Sequence, residues 1–230
     1  MHPGNGNAAR LSSMRHKFPE YTSGEHLADG LVHVIGVSAS VAAAVVLGLL
    51  AFGQPLASIV SVAIYAAALV AVFAFSAAYN LVGAGRLKAI LRRCDHATIY
   101  VKIAATYTPF ALVKIGSAPG AALLAAVWSV AVLGAALKLF WPAQLVRTSY
   151  VFYLVQGWVG VMAFEFLAAA VSTRVLVLLA IGGALYTIGV VFHLWRQLPY
   201  HNAVWHVFVL IASAFHFAAV VDALALIGER

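Results

Sequence analysis

The sequence predicts an all-α polytopic membrane protein with seven transmembrane helices. Three observations carry that expectation. Of the 230 residues, 64% are hydrophobic and only 9% are charged, a composition that would leave a soluble domain with large sticky patches. The apolar residues fall in runs of about 20, the length needed to cross a bilayer core. Prolines punctuate the runs: Pro55, Pro119, Pro142 and Pro199 stand at the joints, where a missing backbone N–H does least harm.

In chain order, residues 1–23 are rich in Gly, Asn, Ser and basic side chains and are read as a flexible cytoplasmic tail. Residues 24–230 are read as one seven-helix domain. No apolar run stands where a cleavable signal peptide is expected. The first span is placed at 31–51. Glu25 and Asp29 precede it as first-turn residues favoured by the helix dipole, and His33 lies near its inner end. The second span is placed at 57–80. Leu87, Ile90, Leu91 and Cys94 then recur at helical spacing between Lys88, Arg92 and Arg93, which predicts a short interfacial helix on the inner leaflet. The remaining spans are placed at 96–115, 119–140, 149–168, 173–194 and 203–226. Pro109 falls well inside the third and predicts a kink.

Charge sets the expected orientation. Arg10, Arg15, Lys17, Arg86, Lys88, Arg92, Arg93, Lys138, Arg147 and Arg196 fall on one side, against Lys114, Arg174 and Arg230 on the other. The positive-inside rule then places the N-terminus in the cytoplasm and the C-terminus outside the cell's inner or plasma membrane. The formal charge of +7 is read as anchoring to anionic inner-leaflet head groups, so the expected partners are membrane lipids and not nucleic acid. Cys94 is the single cysteine, which excludes a disulfide within the chain.

Polar side chains in spans are costly and point to function. Three spans bring such groups to one depth near the inner leaflet: Ser76 and Asn80 on the second, Asp95 on the third, and Asn202 with His206 on the seventh. Ser76 and Asn80 are four apart, as are Asn202 and His206, so each pair shares a helix face. Two groups four apart on one helix with a third from another make the geometry of a metal site. Zinc, however, prefers imidazole, thiolate or carboxylate. Residue chemistry therefore favours a hydrogen-bonded polar cluster that ties the three helices together. Lys102, two turns beyond Asp95, either snorkels to the inner head groups or reaches that cluster to offset Asp95. His216 reads as a buried, hydrogen-bonded histidine. Glu165, Asp222 and His193 read as interfacial.

These motifs resemble the hemolysin III family, the bacterial branch of the progestin and adipoQ receptor (PAQR) superfamily. The resemblance rests on Glu25-x-x-Ala28 with His33-x-x-Gly36, on Ser76-Ala-Ala-Tyr79-Asn80, and on Cys94-Asp95-His96 running to Thr106-Tyr107-Thr108-Pro109-Phe110. Gln156-Gly157-Trp158-Val159-Gly160, Leu198 to His206, and Ser213-Ala214-Phe215-His216-Phe217 extend it over nearly all of the chain after the tail. It implies a zinc ion held by three histidines at the places of Asn80, Asn202 and His206. It further implies Asp95 beside a water that the zinc holds, with Ser76 next to it. Two of the three ligand places carry Asn here. The function expected is a role in membrane lipid homeostasis with a degenerate family zinc site. The alternative is a zinc-dependent, ceramidase-like lipid amide hydrolase with Asp95 and Ser76 as catalytic residues. A transporter or pore is disfavoured because no paired broken helices occur, and a retinal protein because no lysine lies in the seventh span.

Overall fold

The computed structural model describes residues 21–141 and 149–225. Most of the expected tail, Pro142, Arg147 and Arg230 lie outside the described residues. Among the described residues the secondary structure is helical, with no strand.

Helix α1 (Ser23–Ala51) opens with a capping box. The Thr22 hydroxyl accepts from the Glu25 N–H at 3.3 Å, and Glu25 Oε2 accepts from the Thr22 N–H at 2.8 Å, which together satisfy two otherwise unpaired donors. The helix thus starts two turns before its apolar run. Asp29 is therefore not a first-turn residue, as charge and hydropathy had suggested, but a buried group inside the helix. Pro55 caps α2 (Leu56–Leu81), and Gly85 precedes α3 (Arg86–Thr108).

The expected interfacial helix at 87–94 does not exist as a separate element. Nothing between Cys94 and Asp95 breaks the helix, so these residues form the first turns of α3. At Pro109 the N–H that would bond the carbonyl four residues back is missing. The chain continues in π register through Pro109–Ile115, ending with Gly116 N–H donating to the Ala111 carbonyl at 3.1 Å. Gly116 reverses the chain at φ 65°, a conformation that favours glycine.

Helix α4 (Ala118–Phe140) carries Pro119 in its first turn. The next span is α5 (Ser149–Trp158), a 3₁₀ turn (Val159–Ala163) and α6 (Phe164–Ala170). Helices α7 (Thr173–Leu194) and α8 (His201–Ala225) complete the bundle. Six segments are long and apolar enough to cross a membrane: α1, α2, α4, Ser149–Ala170, α7 and α8. The seventh helix, α3, begins with charged turns and packs between α2 and α4, which completes the seven-helix membrane bundle.

Helix α8 packs against both α7 and α1, and α1 against α2. One core cluster joins Leu47, Tyr65, Phe73, Phe110, Val175 and Val220; a second joins Tyr100, Val127 and Tyr153 across α3, α4 and α5. Many large apolar side chains face outward, among them Leu49, Phe52 and Met162, as lipid contact requires. Small residues bring backbones together where aromatic rings cross. A Cβ on Gly36 would lie 2.6 Å from Phe73 Cδ1. Gly36→Val should therefore cost about 1–3 kcal/mol through overpacking, seen as a lower midpoint of thermal unfolding in detergent; an unchanged midpoint would contradict this contact.

Candidate functional site

Helices α1, α2, α3 and α8 meet near the α1 N-terminal end of the bundle. Helix α1 contributes Asp29 and His33, four residues apart and both buried. Helix α2 contributes Ser76 and Asn80, α3 contributes Asp95, and α8 contributes Asn202 and His206.

Hydrogen-bond partners fix the two imidazoles. His33 Nδ1 stands 2.7 Å from the Asp29 carbonyl oxygen. A carbonyl only accepts, so Nδ1 carries the proton. His206 Nδ1 stands 2.6 Å from Asp29 Oδ1, and the carboxylate assigns the proton in the same way. A neutral imidazole held in this way bears its lone pair on Nε2. Both Nε2 atoms point at one hydroxyl: Ser76 Oγ lies 3.2 Å from His33 Nε2 and 3.4 Å from His206 Nε2. The ring centroids are 4.3 Å apart. Asp29 thus orients His33 through its main-chain carbonyl and His206 through its carboxylate, the two kinds of acceptor that stand behind metal-ligating histidines.

The two asparagines close the network. Asn80 Nδ2 donates to the Ser76 carbonyl at 2.9 Å and reaches His33 Nε2 at 3.4 Å. Asn202 Nδ2 donates to Asp29 Oδ2 at 3.2 Å and to Asn80 Oδ1 at 3.3 Å. Each ring nitrogen of the pair therefore has a partner without any ion. Asp95 is buried on the far side, against Ser76 and in the field of His206. Tyr21, just before α1, meets His26 edge-on and His201 at a tilt; burial pushes its phenol up to about 12, so it stays neutral.

The sequence-expected residues Ser76, Asn80, Asn202 and His206 do gather, with Asp95 beside them. Asp29 and His33 were not expected in this group. The signal was present in the sequence, since they share the four-residue spacing that marked the other two pairs. They also change the metal question. Asp29, His33 and His206 each offer one ligand atom, all within 4.8 Å of one another. That trio could hold a metal ion, and only His206 belongs to the three places implied by the resemblance. Lys102 neither snorkels nor meets Asp95. It is 5% exposed, and its Nζ donates to Tyr186 Oη at 2.6 Å. His216 is half-buried, with Nε2 3.4 Å from the Leu179 carbonyl.

The cluster forms part of the wall of a cavity of about 1650 Å³. His33, Ser76, Asn80, Asp95, Asn202 and His206 belong to its wall, with apolar groups such as Phe110, Leu123 and Leu167 and with the polar Lys102 and Tyr186. A smaller cleft of about 650 Å³ approaches Asp29, Asn80 and Asn202 from the other side.

A family model described as "Haemolysin-III related" matches residues 23–217. The chain belongs to that family. It is 37% identical over 201 residues to the "Hemolysin-3 homolog" of Bacillus subtilis (strain 168), covering 87% of this chain and 94% of that one. It is 32% identical over 197 residues to "Hemolysin-3" of Bacillus cereus, covering 85% and 90%. The "Monocyte to macrophage differentiation factor" of Homo sapiens is 28% identical over 163 residues, covering 68% and 67%. No solved structure matches the chain. As a haemolysin-III-related protein with several apolar helices, it is a multi-pass membrane protein, and the PAQR superfamily reading is consistent with the family.

Proposed function

We propose that this protein serves membrane lipid homeostasis by taking a lipid into its intramembrane cavity, with the lipid's polar head against the Ser76–His206–Asp95 cluster. The observation that carries this reading is the cavity itself. Its volume of about 1650 Å³ exceeds the roughly 300–1,000 Å³ of ordinary small-molecule sites, and its wall combines apolar side chains with the polar cluster. Orientation with the N-terminus in the cytoplasm, in the inner or plasma membrane, belongs to the same proposal and rests on the distribution of basic residues.

The chain's own groups define what the polar end can do. Ser76 has one proton to give and faces two Nε2 lone pairs and a carboxyl group. Asn80 and Asn202 have amide donors committed to Asp29, His33 and the Ser76 carbonyl. A head group rich in hydroxyl or amide functions could exchange hydrogen bonds with this set while its chains lie along Phe110 and Leu167.

A second reading, a zinc-dependent lipid amide hydrolase, is favoured by the Asp29–His33–His206 trio. Two imidazoles and a carboxylate are a donor set that zinc accepts, whereas Asn80 and Asn202 present neutral amides. These three residues would hold the ion, and a bound zinc would supply Lewis-acid polarisation and an activated water. Asp95 and Ser76 would then position the substrate's reacting group.

The test is lipid capture. Ala180 faces the cavity from α7 and is exposed there, so Ala180→Trp should fill space without disturbing the core. Protein extracted from native membranes should carry stoichiometric lipid by mass spectrometry, and Ala180→Trp should carry at least about fivefold less at similar thermal stability. Equal lipid on both would remove the cavity reading. Metal content of the same preparations separates the second reading: stoichiometric zinc lost on His33→Ala would favour it.

A further inference from the structure

We infer that the cavity holds a second polar tier, Lys102–Tyr186–Ser213, that binds the carboxylate head of a single-chain amphiphile deep inside the membrane. This rests on the lipid-cavity reading and names the ligand class that the deeper part of the cavity takes.

The tier is built by three helices in register. Lys102 lies seven residues beyond Asp95 on α3, and Ser213 lies seven beyond His206 on α8. Tyr186 lies seven before His193 on α7, which runs the other way. At about 1.5 Å per residue each step is roughly 10 Å, two turns along the same face. The three groups then meet: Lys102 Nζ donates to Tyr186 Oη at 2.6 Å, and Tyr186 Oη lies 2.6 Å from Ser213 Oγ. The ammonium also stands 4.5 Å from the Tyr186 ring centroid.

This arrangement stops one step short of neutrality. An ammonium has three donors, and Tyr186 takes one. No carboxylate among the described residues pairs with Lys102; the ion pairs there involve Asp29 and Asp222. Tyr186 accepts from Lys102 and shares a hydrogen bond with the buried Ser213 hydroxyl behind it. A buried, unpaired cation in a span is costly and is kept where it meets a charge of opposite sign. Lys102, Tyr186 and His216 all face the cavity. The two ammonium donors that Tyr186 does not take fit the two oxygens of a carboxylate. One charge fits a monoanion, and the apolar lining at Phe110 and Leu123 accepts a single chain beyond it.

The experiment uses the full chain in nanodiscs of uncharged lipid, with radiolabelled palmitate and methyl palmitate as probes. The wild-type protein should hold palmitate at least about tenfold more tightly than its ester, as a charge-assisted contact implies. Lys102→Met should abolish that preference while leaving ester binding in place. Lys102→Arg should keep most of it, and Tyr186→Phe should reduce it several-fold. Equal binding of the two probes by the wild type, or a preference unmoved by Lys102→Met, overturns the inference while the cavity reading stands. Binding of neither probe overturns both. If Lys102→Met does not fold, the wild-type comparison and Tyr186→Phe decide the matter alone.

Discussion

Changing Asn80 and Asn202 together to histidine should give the protein stoichiometric zinc. Both amides already sit in the network that contains His206, 3.3 Å from each other. Imidazoles at these places would put three nitrogen ligands on α2 and α8, a donor set that zinc prefers over neutral amides. Asp29 would still orient His206 through Nδ1, as the second shell of a zinc site does. Metal analysis of the purified double variant after a chelator wash is the check. The expected result is one retained zinc, with the single variants retaining much less. A double variant with no more zinc than the wild type would mean that the two asparagines do not stand at ligand positions.

Asp29→Ala should be among the most destabilising single substitutions in the chain. The carboxylate accepts from His206 Nδ1 and from Asn202 Nδ2, and it lies 3.5 Å from His33 Nδ1. Its removal takes that acceptor from two part-buried donors on α8, His206 Nδ1 and Asn202 Nδ2, while His33 keeps the Asp29 main-chain carbonyl. Breaking a buried charged network in this way costs about 3–5 kcal/mol. For a chain of this size that is a fall in the unfolding midpoint on the order of 10 °C. Asp29→Asn keeps an acceptor oxygen and should lose less than half as much. Thermal unfolding of both variants in the same detergent measures the order. Equal losses, or a loss from Asp29→Ala below about 1 kcal/mol, would contradict the network as described.

The bundle was legible because its signal is coarse. Apolar runs bounded by Pro55, Pro119 and Pro199 marked the spans, though not the starts of α1 and α3, and Pro109 marked the change of helix register. The four-residue spacings of Ser76 with Asn80 and Asn202 with His206 marked two sides of the cluster. The third side was hidden by reading hydropathy alone. The apolar run begins near Leu31, but Thr22 and Glu25 form the capping box that starts α1 at Ser23. Hydropathy therefore makes Asp29 a first-turn residue and puts His33 near the inner end of the span, whereas they are the centre of the network. The same bias split Leu87–Cys94 from α3. Charged residues lowered the local hydropathy there, although no residue broke the helix.

Lys102 shows a different limit. Its depth could be counted along α3, but its partner could not. Which helix a side chain faces depends on the rotation of each helix about its axis and on the order of packing around the bundle. A single sequence does not carry that order. Tyr186 stands 84 positions further along the chain, and no spacing rule links it to Lys102.

The central claim is that the apolar cavity receives a lipid whose head lies against the Ser76, Asp95 and His206 side chains. A density map of the protein in nanodiscs made from its own membrane tests this most directly. The account predicts elongated density running past Phe110 and Leu123 and ending within hydrogen-bond distance of Ser76 or His206. A cavity holding only ordered water, or closed by the helices that line it, would contradict it.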